Sequence, residues 1–410
     1  MIPSPTDIDQ WFKDQTVLLT GGTGTLGGCL LYKLAIQLPT KRVFVLCRGS
    51  IHQAMTKLEN SMPEQTDDIL ESGRVTFVVG DLTKANAGLK ESDLHQVQDQ
   101  VTVVINAAGN VSLLQDLRES VGENTVPHLA LVRLCGTFQR IQRFLHVSSA
   151  YVNSFLPGGA VEERVYDIYG DAVDSAQNLK SILNTGKSPF TSSFAVPYNH
   201  AKYIAERLLL DASPPFPLLI IRPSNIGPAI RDPSPFYGLH MVIPLHSYVQ
   251  FVLCNSTQRR EELEAELPLE NIIDEIPVDL VANTCLLHLA MGTTGMVHSA
   301  AKLYQPRCVG DIKRDCLNHT SPELIDDLRR SEISNHPEFL THFTDMFTKF
   351  CRDWKFECTR SDSLREVQGP LTLSLEGHDA AAFLAVRIER VARRLLDTVK
   401  RAQASGHSLG

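Results

Sequence analysis

The chain has 410 residues, of which 43% are hydrophobic and 21% charged, and its formal net charge is −8. These proportions are typical of a globular protein with one large domain or two, and the negative balance argues against nucleic acid as the main partner. The nine cysteines are scattered and form no Cys-x-x-Cys motif, which argues against a disulfide framework and against a metal site. The N-terminal stretch is neither basic nor apolar, which argues against a secretory signal, and no apolar run reaches the roughly 18 residues of a membrane span. Together these features predict a soluble cytoplasmic protein.

Short runs of aliphatic and β-branched residues alternate with helical patterns over the first half of the chain. The predicted strands lie at 16–20, 42–47, 75–79, 101–105, 144–147 and 218–222. Runs of this length, separated by helices, indicate a parallel sheet that is covered on both faces. The sequence therefore predicts an α/β fold with a doubly wound parallel (Rossmann) sheet.

A glycine-rich loop follows the first predicted strand directly and opens a helix predicted at about 26–38. Gly21 can make the tight turn, Gly24 lets the backbone approach a diphosphate, and Gly27 permits close packing of the helix. The phosphates would meet the helix N-terminus, where unpaired N–H groups favour negative charge. The predicted dinucleotide-binding residues of this loop are Gly21, Thr23, Gly24, Thr25, Leu26 and Gly27.

The end of the second predicted strand indicates which cofactor is bound. An NAD enzyme usually carries an acidic residue there to hold the ribose hydroxyls. This chain has Arg48 instead, and a guanidinium group is well suited to pair with a 2′-phosphate. The sequence therefore predicts NADPH as the cofactor.

Two further strand ends contribute to the predicted cofactor site. Asp81 and Leu82 follow the third strand and fit a contact to the adenine. Asn106, Ala107 and Ala108 follow the fourth strand, where small residues would let the cofactor cross the edge of the sheet.

Tyr198 and Lys202 are the candidate catalytic pair. Their i, i+4 spacing places the phenol and the ammonium on one face of a helix, although such pairs are also common on plain protein surfaces. A free tyrosine has a pKa near 10, and an adjacent cation lowers it toward the working range. Ser149 follows the fifth strand, at the sheet edge where such folds bind ligands, and supplies a hydroxyl.

The alternation of strands and helices is interrupted at 155–195 and 224–272, and it fades after about residue 300. We expect an NADP(H)-binding domain at 1–300 with these two insertions on the substrate side, followed by a mainly helical substrate or cap region at 301–410. The last predicted helix, 378–402, has an apolar stripe formed by Leu384, Ile388, Val391, Leu395 and Val399.

Arginines lie off that stripe, at positions 387, 390, 394 and 401. One interpretation is a terminal helix packed on its own body. The other is a docking surface for an acidic carrier protein or for the surface of a membrane.

Residues 14–300 resemble the extended short-chain dehydrogenase/reductase superfamily. The resemblance is carried by five features that occur in the same order: the glycine loop, the Asp81 turn, Asn106-Ala107-Ala108, the serine strand and the Tyr-Lys helix. Within it, the chain is most similar to the fatty acyl-CoA reductases of the male-sterility type and to the thioester reductase domains of polyketide and nonribosomal peptide synthases. The stretches that carry this likeness are 144–153, 221–228, 231–236 and 276–280. The acyl-CoA reductases tend to have Thr where Ser149 stands, and Pro197 before the tyrosine is a further departure.

This resemblance implies an NADPH-dependent reduction of an acyl thioester, carried on CoA or on a carrier protein, to an aldehyde and then to an alcohol if a second NADPH is used. Tyr198 would protonate the carbonyl oxygen, Ser149 would donate a second hydrogen bond, and Lys202 would lower the tyrosine pKa and hold the nicotinamide ribose. The segment expected to line the nicotinamide and acyl pocket consists of Pro223, Ser224, Asn225 and Ile226.

Two alternatives fit the same scaffold. A sugar-nucleotide epimerase or dehydratase, or a ketone reductase, would use a similar site, although an epimerase usually retains NAD(H) and Arg48 argues against that. A non-catalytic NADP-sensing regulator is disfavoured by the complete Ser-Tyr-Lys set. His146 and His200 are interpreted as structural, and Ser148-Ser149 lacks the G-x-S-x-G elbow of a serine hydrolase.

Overall fold

The computed structural model describes residues 4–170, 174–265, 268–330 and 349–405. The strands are β1 (Thr16–Thr20), β2 (Arg42–Cys47), β3 (Val75–Val79), β4 (Val103–Asn106), β5 (Arg143–Val147), β6 (Gly159–Val161), β7 (Leu218–Pro223), β8 (Asn225–Gly227), β9 (Ile272–Ile273), β10 (Glu275–Pro277), β11 (Gly295–Ser299), β12 (Arg307–Cys308) and β13 (Trp354–Phe356). The helices are α1 (Pro5–Lys13), α2 (Thr25–Tyr32), α3 (Ile51–Ser61), α4 (Pro63–Glu71), α5 (Glu91–Gln100), α6 (Leu117–Asn124), α7 (Val126–Cys135), α8 (Ser175–Thr185), α9 (Pro197–Asp211), α10 (Pro244–Cys254), α11 (Thr257–Glu264), α12 (Val278–Ala290), α13 (Val309–Asn318), α14 (Pro322–Arg330) and α15 (Ala380–Ser405).

Seven parallel strands form the central sheet, in the order β11-β7-β5-β4-β1-β2-β3. The strand order reverses between β1 and β4, and the loops that follow these two strands leave the sheet on either side of a crevice. The predicted doubly wound fold is therefore confirmed. Of the seven strands described in this central sheet, sequence patterning missed β11, a five-residue run that contains His298 beside Met296 and Val297.

The alternation of side chains along each strand supplies two cores. Leu18 and Phe44 face one side of the sheet and pack with residues of α5 and α7. Leu19 and Val45 face the other side and pack with α2 and α12, where Leu30 and Leu286 are fully buried. Because helices cover both faces of the sheet, every residue of β1 is buried, and β1 consists of apolar residues and threonines.

A separate apolar cluster joins α10, α13, α14 and α15. Leu384, Ile388, Val391 and Leu395 of α15 are buried in it, as expected of a terminal helix packed on its own body; the side chain of Val399 lies outside the described residues. Although α15 is 26 residues long, no helix in the described ranges has the length and apolar character needed to cross a bilayer.

Three of the four arginines of α15 have partners within this chain, as expected of a packed terminal helix, and the docking interpretation stays a prediction. Arg387, Arg390 and Arg394 each contact a group of this chain on the α10 side of the helix. The segment after the gap at 331–348 returns to the main core, where Trp354 of β13 is buried and β13 pairs with β6.

Candidate active site

The glycine loop has the geometry of a phosphate-binding turn. Gly21 has φ +72°, and a Cβ there would lie 2.7 Å from the Ala107 carbonyl oxygen, so only glycine lets the loops after β1 and β4 approach each other. A Cβ on Gly27 would overlap the carbonyl of Gly21. At Gly24 a Cβ would meet only the Gly21 oxygen, at 3.3 Å, which leaves open space on the outer side of the loop.

The N-terminus of α2 has free N–H groups that can bind an anion. Gly24 is its N-cap and offers no side chain to accept a hydrogen bond from the first turn. The first N–H groups of a helix have no partner within it, so those at Thr25 and Leu26 are available to phosphate oxygens beside the open cradle of Gly24. The residues of the loop therefore fit the diphosphate of a dinucleotide.

Arg48 and Asp81 lie together at the ends of the adjacent strands β2 and β3. Asp81 accepts hydrogen bonds from Thr83 N (3.0 Å) and Thr83 Oγ1 (2.8 Å). These bonds, with a smaller contribution from the Arg48 charge, hold the pKa of Asp81 below its usual value. An acidic residue that follows the third strand thus lies near Arg48, whose side chain is exposed.

Asn106 is fully buried and its amide is committed to a polar network. It accepts from Thr20 Oγ1 (2.7 Å) and its Nδ2 lies 2.9 Å from His128 Nδ1 and 3.2 Å from His146 Nδ1. Thr20 Oγ1 in turn accepts from Ala108 N at 3.2 Å. Asn106 thereby helps to fix the loop at Ala107 and Ala108, and its expected contact with the cofactor stays a prediction. His146 is buried in the same network, in agreement with a structural role.

Tyr198 and Lys202 lie in the first turns of α9, which begins at Pro197 because proline needs no hydrogen-bond acceptor at that position. Tyr198 is half-buried, while Lys202 is only 3% exposed. Lys202 Nζ donates to the carbonyl of Val147 at 3.1 Å and lies 5.9 Å from the centre of the Tyr198 ring. This bond anchors α9 to the end of β5, two residues before Ser149.

Burial dominates the ionisation of the pair. It lowers the pKa of Lys202 to about 8, against the opposing charge of Glu206, and it raises the pKa of Tyr198. The expectation that Lys202 lowers the tyrosine pKa is wrong for the free protein, because the ammonium is directed at the Val147 carbonyl while the phenol is desolvated. Tyr198 therefore stays protonated at neutral pH and is a proton donor.

Ser149 follows β5 as predicted and precedes a short 3₁₀ turn, with its Oγ accepting from Tyr151 N at 3.2 Å. That bond leaves the hydroxyl hydrogen free to donate. Ser148 is 4% exposed and its N–H donates to Ile221 O at 2.7 Å, so it belongs to the sheet rather than to the crevice. The preference for Ser149 over Ser148 agrees with these positions.

Behind Lys202 is a buried ion pair that sequence reading did not identify. Arg222 is 1% exposed and Glu206 2%, and their bidentate contact has distances of 2.5 and 2.9 Å. Arg222 Nη1 also donates to Arg164 O at 2.8 Å. Glu206 lies four residues after Lys202 on α9, a spacing that could have revealed its proximity to the lysine.

The segment 223–226 lies at the end of β7 as predicted. Ser224 N donates to Ser299 O at 2.9 Å, which ties it to β11. Asn225 Nδ2 donates to Tyr151 Oη (2.7 Å) and to Asp274 O (2.9 Å). Burial raises the pKa of Asp274 to about 6. Asn225 is thereby held by two fixed partners.

Two other polar residues complete the surroundings. Asn124, at the end of α6, accepts from Asn110 N (3.0 Å) and donates to Asn110 O (2.9 Å), which holds the loop after β4 beside Lys202. No motif in the sequence identified it. His200 is buried against Phe194 and its Nε2 lies 2.8 Å from Tyr169 Oη, so it is structural as expected.

Comparison with known proteins identifies relatives of the whole site. Residues 19–285 match the NAD-binding family described as Male sterility protein. The chain is 27% identical over 297 residues to a putative fatty acyl-CoA reductase of Drosophila melanogaster, covering 69% of this chain. It is 25% identical over 293 residues to fatty acyl-CoA reductase 1 of Xenopus laevis, covering 68%. The chain spans 55% of the length of each of these relatives.

Solved structures extend the likeness of fold to the C-terminal part. The terminal R domain of the myxalamid PKS-NRPS pathway superposes with a TM-score of 0.66 at 17% identity, covering 93% of this chain and 91% of that domain. The reductase domain of a nonribosomal peptide synthetase from Mycobacterium tuberculosis gives 0.64 at 16% identity, covering 97% of each chain. At these identities the likeness is one of fold.

Proposed function

The chain belongs to the Male sterility protein family of NAD-binding proteins, and we propose that it is an NADPH-dependent reductase of acyl thioesters. The thioester would be carried on CoA or on a carrier protein, and the product would be an aldehyde, or an alcohol after a second reduction. One observation carries the proposal. The hydrogen bond from Lys202 to Val147 anchors the Tyr198–Lys202 pair to the end of β5, at the same edge of the sheet as the N-terminus of α2, which has no side-chain cap.

The site residues have complementary roles in this reaction. The bound cofactor supplies a hydride to the thioester carbonyl carbon. Tyr198 donates a hydrogen bond and then a proton to the carbonyl oxygen, which its raised pKa permits at neutral pH. Ser149 donates a second hydrogen bond to the same oxygen. Lys202 remains beside the tyrosinate and balances its charge until a proton returns.

Loss of the thiol completes the first reduction. The hemithioacetal formed by hydride and proton addition breaks its C–S bond, the hydroxyl proton leaves, and a thiol and an aldehyde result. We propose that the substrate lies against the segment 223–226 and the part of the chain beyond residue 300. The support is the fixed position of Asn225 beside Tyr151, at the junction between the sheet and the later segments.

The choice of cofactor is proposed from Arg48. The residue is exposed and lies at the end of β2, where a 2′-phosphate would be placed, and its charge acts on the nearby Asp81. Replacing Arg48 by Gln should weaken NADP⁺ binding by at least about tenfold, since charge-assisted hydrogen bonds contribute roughly 1.5–3 kcal/mol. Binding of NAD⁺, measured by calorimetry on the same variant, should change by less than about twofold; equal weakening of both would contradict the assignment.

The activity is tested by incubating the protein and NADPH with a panel of acyl-CoAs, carrier-bound thioesters, ketones and sugar nucleotides. NADPH consumption together with aldehyde or alcohol formation from a thioester is the expected result. Consumption with a ketone or a sugar nucleotide, with none above background for any thioester, would reject thioester reduction. Binding of NADP⁺ without turnover of any substrate would favour a sensor.

A further inference from the structure

Residues 236–246, which we call the strap, cross the N-terminus of α2. Tyr237 Oη donates to the carbonyl of Thr25 at 3.0 Å. Gly238 has φ +77° and approaches the Thr25 side chain so closely that a Cβ there would overlap it. His240 Nε2 lies 2.9 Å from Thr25 Oγ1. Three residues of the strap therefore converge on one residue of the glycine loop.

The imidazole of His240 is exposed, whereas Tyr237 beside it is 5% exposed. Tyr237 therefore fixes the strap against α2, and His240 stands at the opening above the first turn of the helix. That turn has no side-chain cap, and its outer side is open at Gly24. A ring nitrogen at this position faces the space where an anion on the helix N-terminus would lie.

The strap is held from behind by three arginines of α15. The guanidinium carbon of Arg390 lies 4.0 Å from the centre of the Phe236 ring. Arg394 Nη1 donates to Leu239 O at 2.6 Å. Arg387 Nε donates to His246 Nε2 at 2.7 Å. These contacts agree with the first of the two interpretations given above, a terminal helix packed on its own body.

The contact of Arg387 determines which nitrogen of His246 carries a proton. Because Nε2 accepts from Arg387, the proton of the neutral ring lies on Nδ1, which donates to the carbonyl of His240 at 2.6 Å. Arg387 is itself fixed by a bidentate pair with Glu275, at 2.5 and 2.9 Å, and is 4% exposed. The backbone at His240 is thus connected to α15 through a chain of buried hydrogen bonds.

We propose that His240 is a ligand of the cofactor diphosphate, and that the arginines of α15 determine cofactor affinity by holding the strap against the glycine loop. This inference rests on the cofactor site of the proposed function but not on the identity of the substrate. In the bound protein the Nε2–H of His240 and the hydroxyl of Thr25 both donate to phosphate oxygens, together with the first N–H groups of α2. The C-terminal helix then acts on the cofactor from the opposite side of the strap.

The role of His240 is tested by binding alone. In His240→Ala the dissociation constant of NADP⁺, measured by calorimetry, should rise at least about tenfold, because a hydrogen bond to a charged group is lost. The affinity for 2′-AMP, which contains the adenine ribose and 2′-phosphate but no diphosphate, should stay within about twofold. His95→Ala, at an exposed histidine of α5, is the matched control and should change neither ligand.

The role of α15 is tested with neighbouring arginines of the same helix. Arg394→Gln removes the bond to Leu239 O and should raise the NADP⁺ dissociation constant and speed amide hydrogen exchange in residues 236–246. Arg393→Gln is the control, since the ion-pair partner of Arg393 among the described residues is Glu389 on the exposed face, at 2.7 Å. Melting temperatures within about 2 °C of the parent protein would show that the variants are folded.

Unchanged NADP⁺ affinity in His240→Ala would overturn the diphosphate assignment. Equal weakening of NADP⁺ and 2′-AMP would also overturn it, because the effect would then be a general distortion of the site. Faster exchange in the strap of Arg394→Gln with unaltered NADP⁺ affinity would reject the proposed link to α15. None of these results depends on turnover, so failure of the thioester assay would leave them interpretable.

Discussion

Lys202→Met should make the protein more stable at neutral pH while it removes the charge that the proposed reaction uses. Lys202 is 3% exposed, and burial depresses its pKa from 10.5 to about 8. At roughly 1.4 kcal/mol per pKa unit, keeping this lysine charged in the folded protein costs about 3 kcal/mol. Methionine has a similar volume and no charge, so it avoids this cost.

The lost hydrogen bond to Val147 O offsets part of the gain. A single hydrogen bond of this kind contributes about 1 kcal/mol, which leaves a net stabilisation of about 2 kcal/mol at pH 7. The folded pKa of Lys202 lies below the unfolded value, so its destabilising effect is complete below about pH 8. It fades as the pH rises toward 10.5, and by pH 10 only about 1 kcal/mol remains, which the lost hydrogen bond cancels.

Urea unfolding of the parent protein and of Lys202→Met, at pH 7 and at pH 10, measures the two free energies of unfolding. The difference between the proteins should favour the variant by about 2 kcal/mol at pH 7 and should be close to zero at pH 10. Other titrating groups cancel in this difference because both proteins contain them. A difference that stays constant or grows with pH would refute the claim that Lys202 carries a buried charge.

Two further substitutions address the hydroxyl of Tyr198 and the ion pair behind the site. Tyr198→Phe should lower kcat by about 10²–10⁴-fold, the usual contribution of a general acid, with the NADP⁺ dissociation constant unchanged in calorimetry; near-normal turnover would remove Tyr198 from the mechanism. Glu206→Gln leaves Arg222 buried without its carboxylate partner and should reduce the free energy of unfolding by about 3–5 kcal/mol. Glu389→Gln, in an exposed ion pair, is the control and should change it by less than about 0.5 kcal/mol. Equal effects of the two substitutions in denaturant titrations would contradict the assigned burial.

The cost of Lys202 is of the kind expected at functional sites. A buried amine with a depressed pKa contributes less to folding than an apolar residue of its size, so its presence in this core calls for another explanation. Arg222 is also buried, but its bidentate carboxylate partner compensates its charge. Lys202 has a carbonyl oxygen as its direct partner, which leaves its charge available to a tyrosinate.

The sequence determined the local features of the fold. Glycine at 21 and 27 is required by a positive φ and by backbone contacts that no side chain permits, so the loop could be recognised from its spacing. The first three predicted strands coincide with the observed ones. Burial on both faces explains the runs of β1 and β2, whereas β3 lies at the edge of the sheet, is only partly buried and was recognised from its β-branched and aromatic residues. The i, i+4 spacing of Tyr198 and Lys202 is enough to place both side chains on one face of a helix.

Only the tertiary structure decided which partners these residues have. Asn106 is committed to two histidines that are 22 and 40 residues away, and Asp81 approaches Arg48 from the next strand. The strap meets Thr25 across 215 residues of sequence, and three arginines of α15 contact the strap. Local periodicity shows which face of an element is apolar, but it carries no information about what packs there. Burial, which controls the pKa values of Tyr198 and Lys202, likewise exists only once the chain has folded.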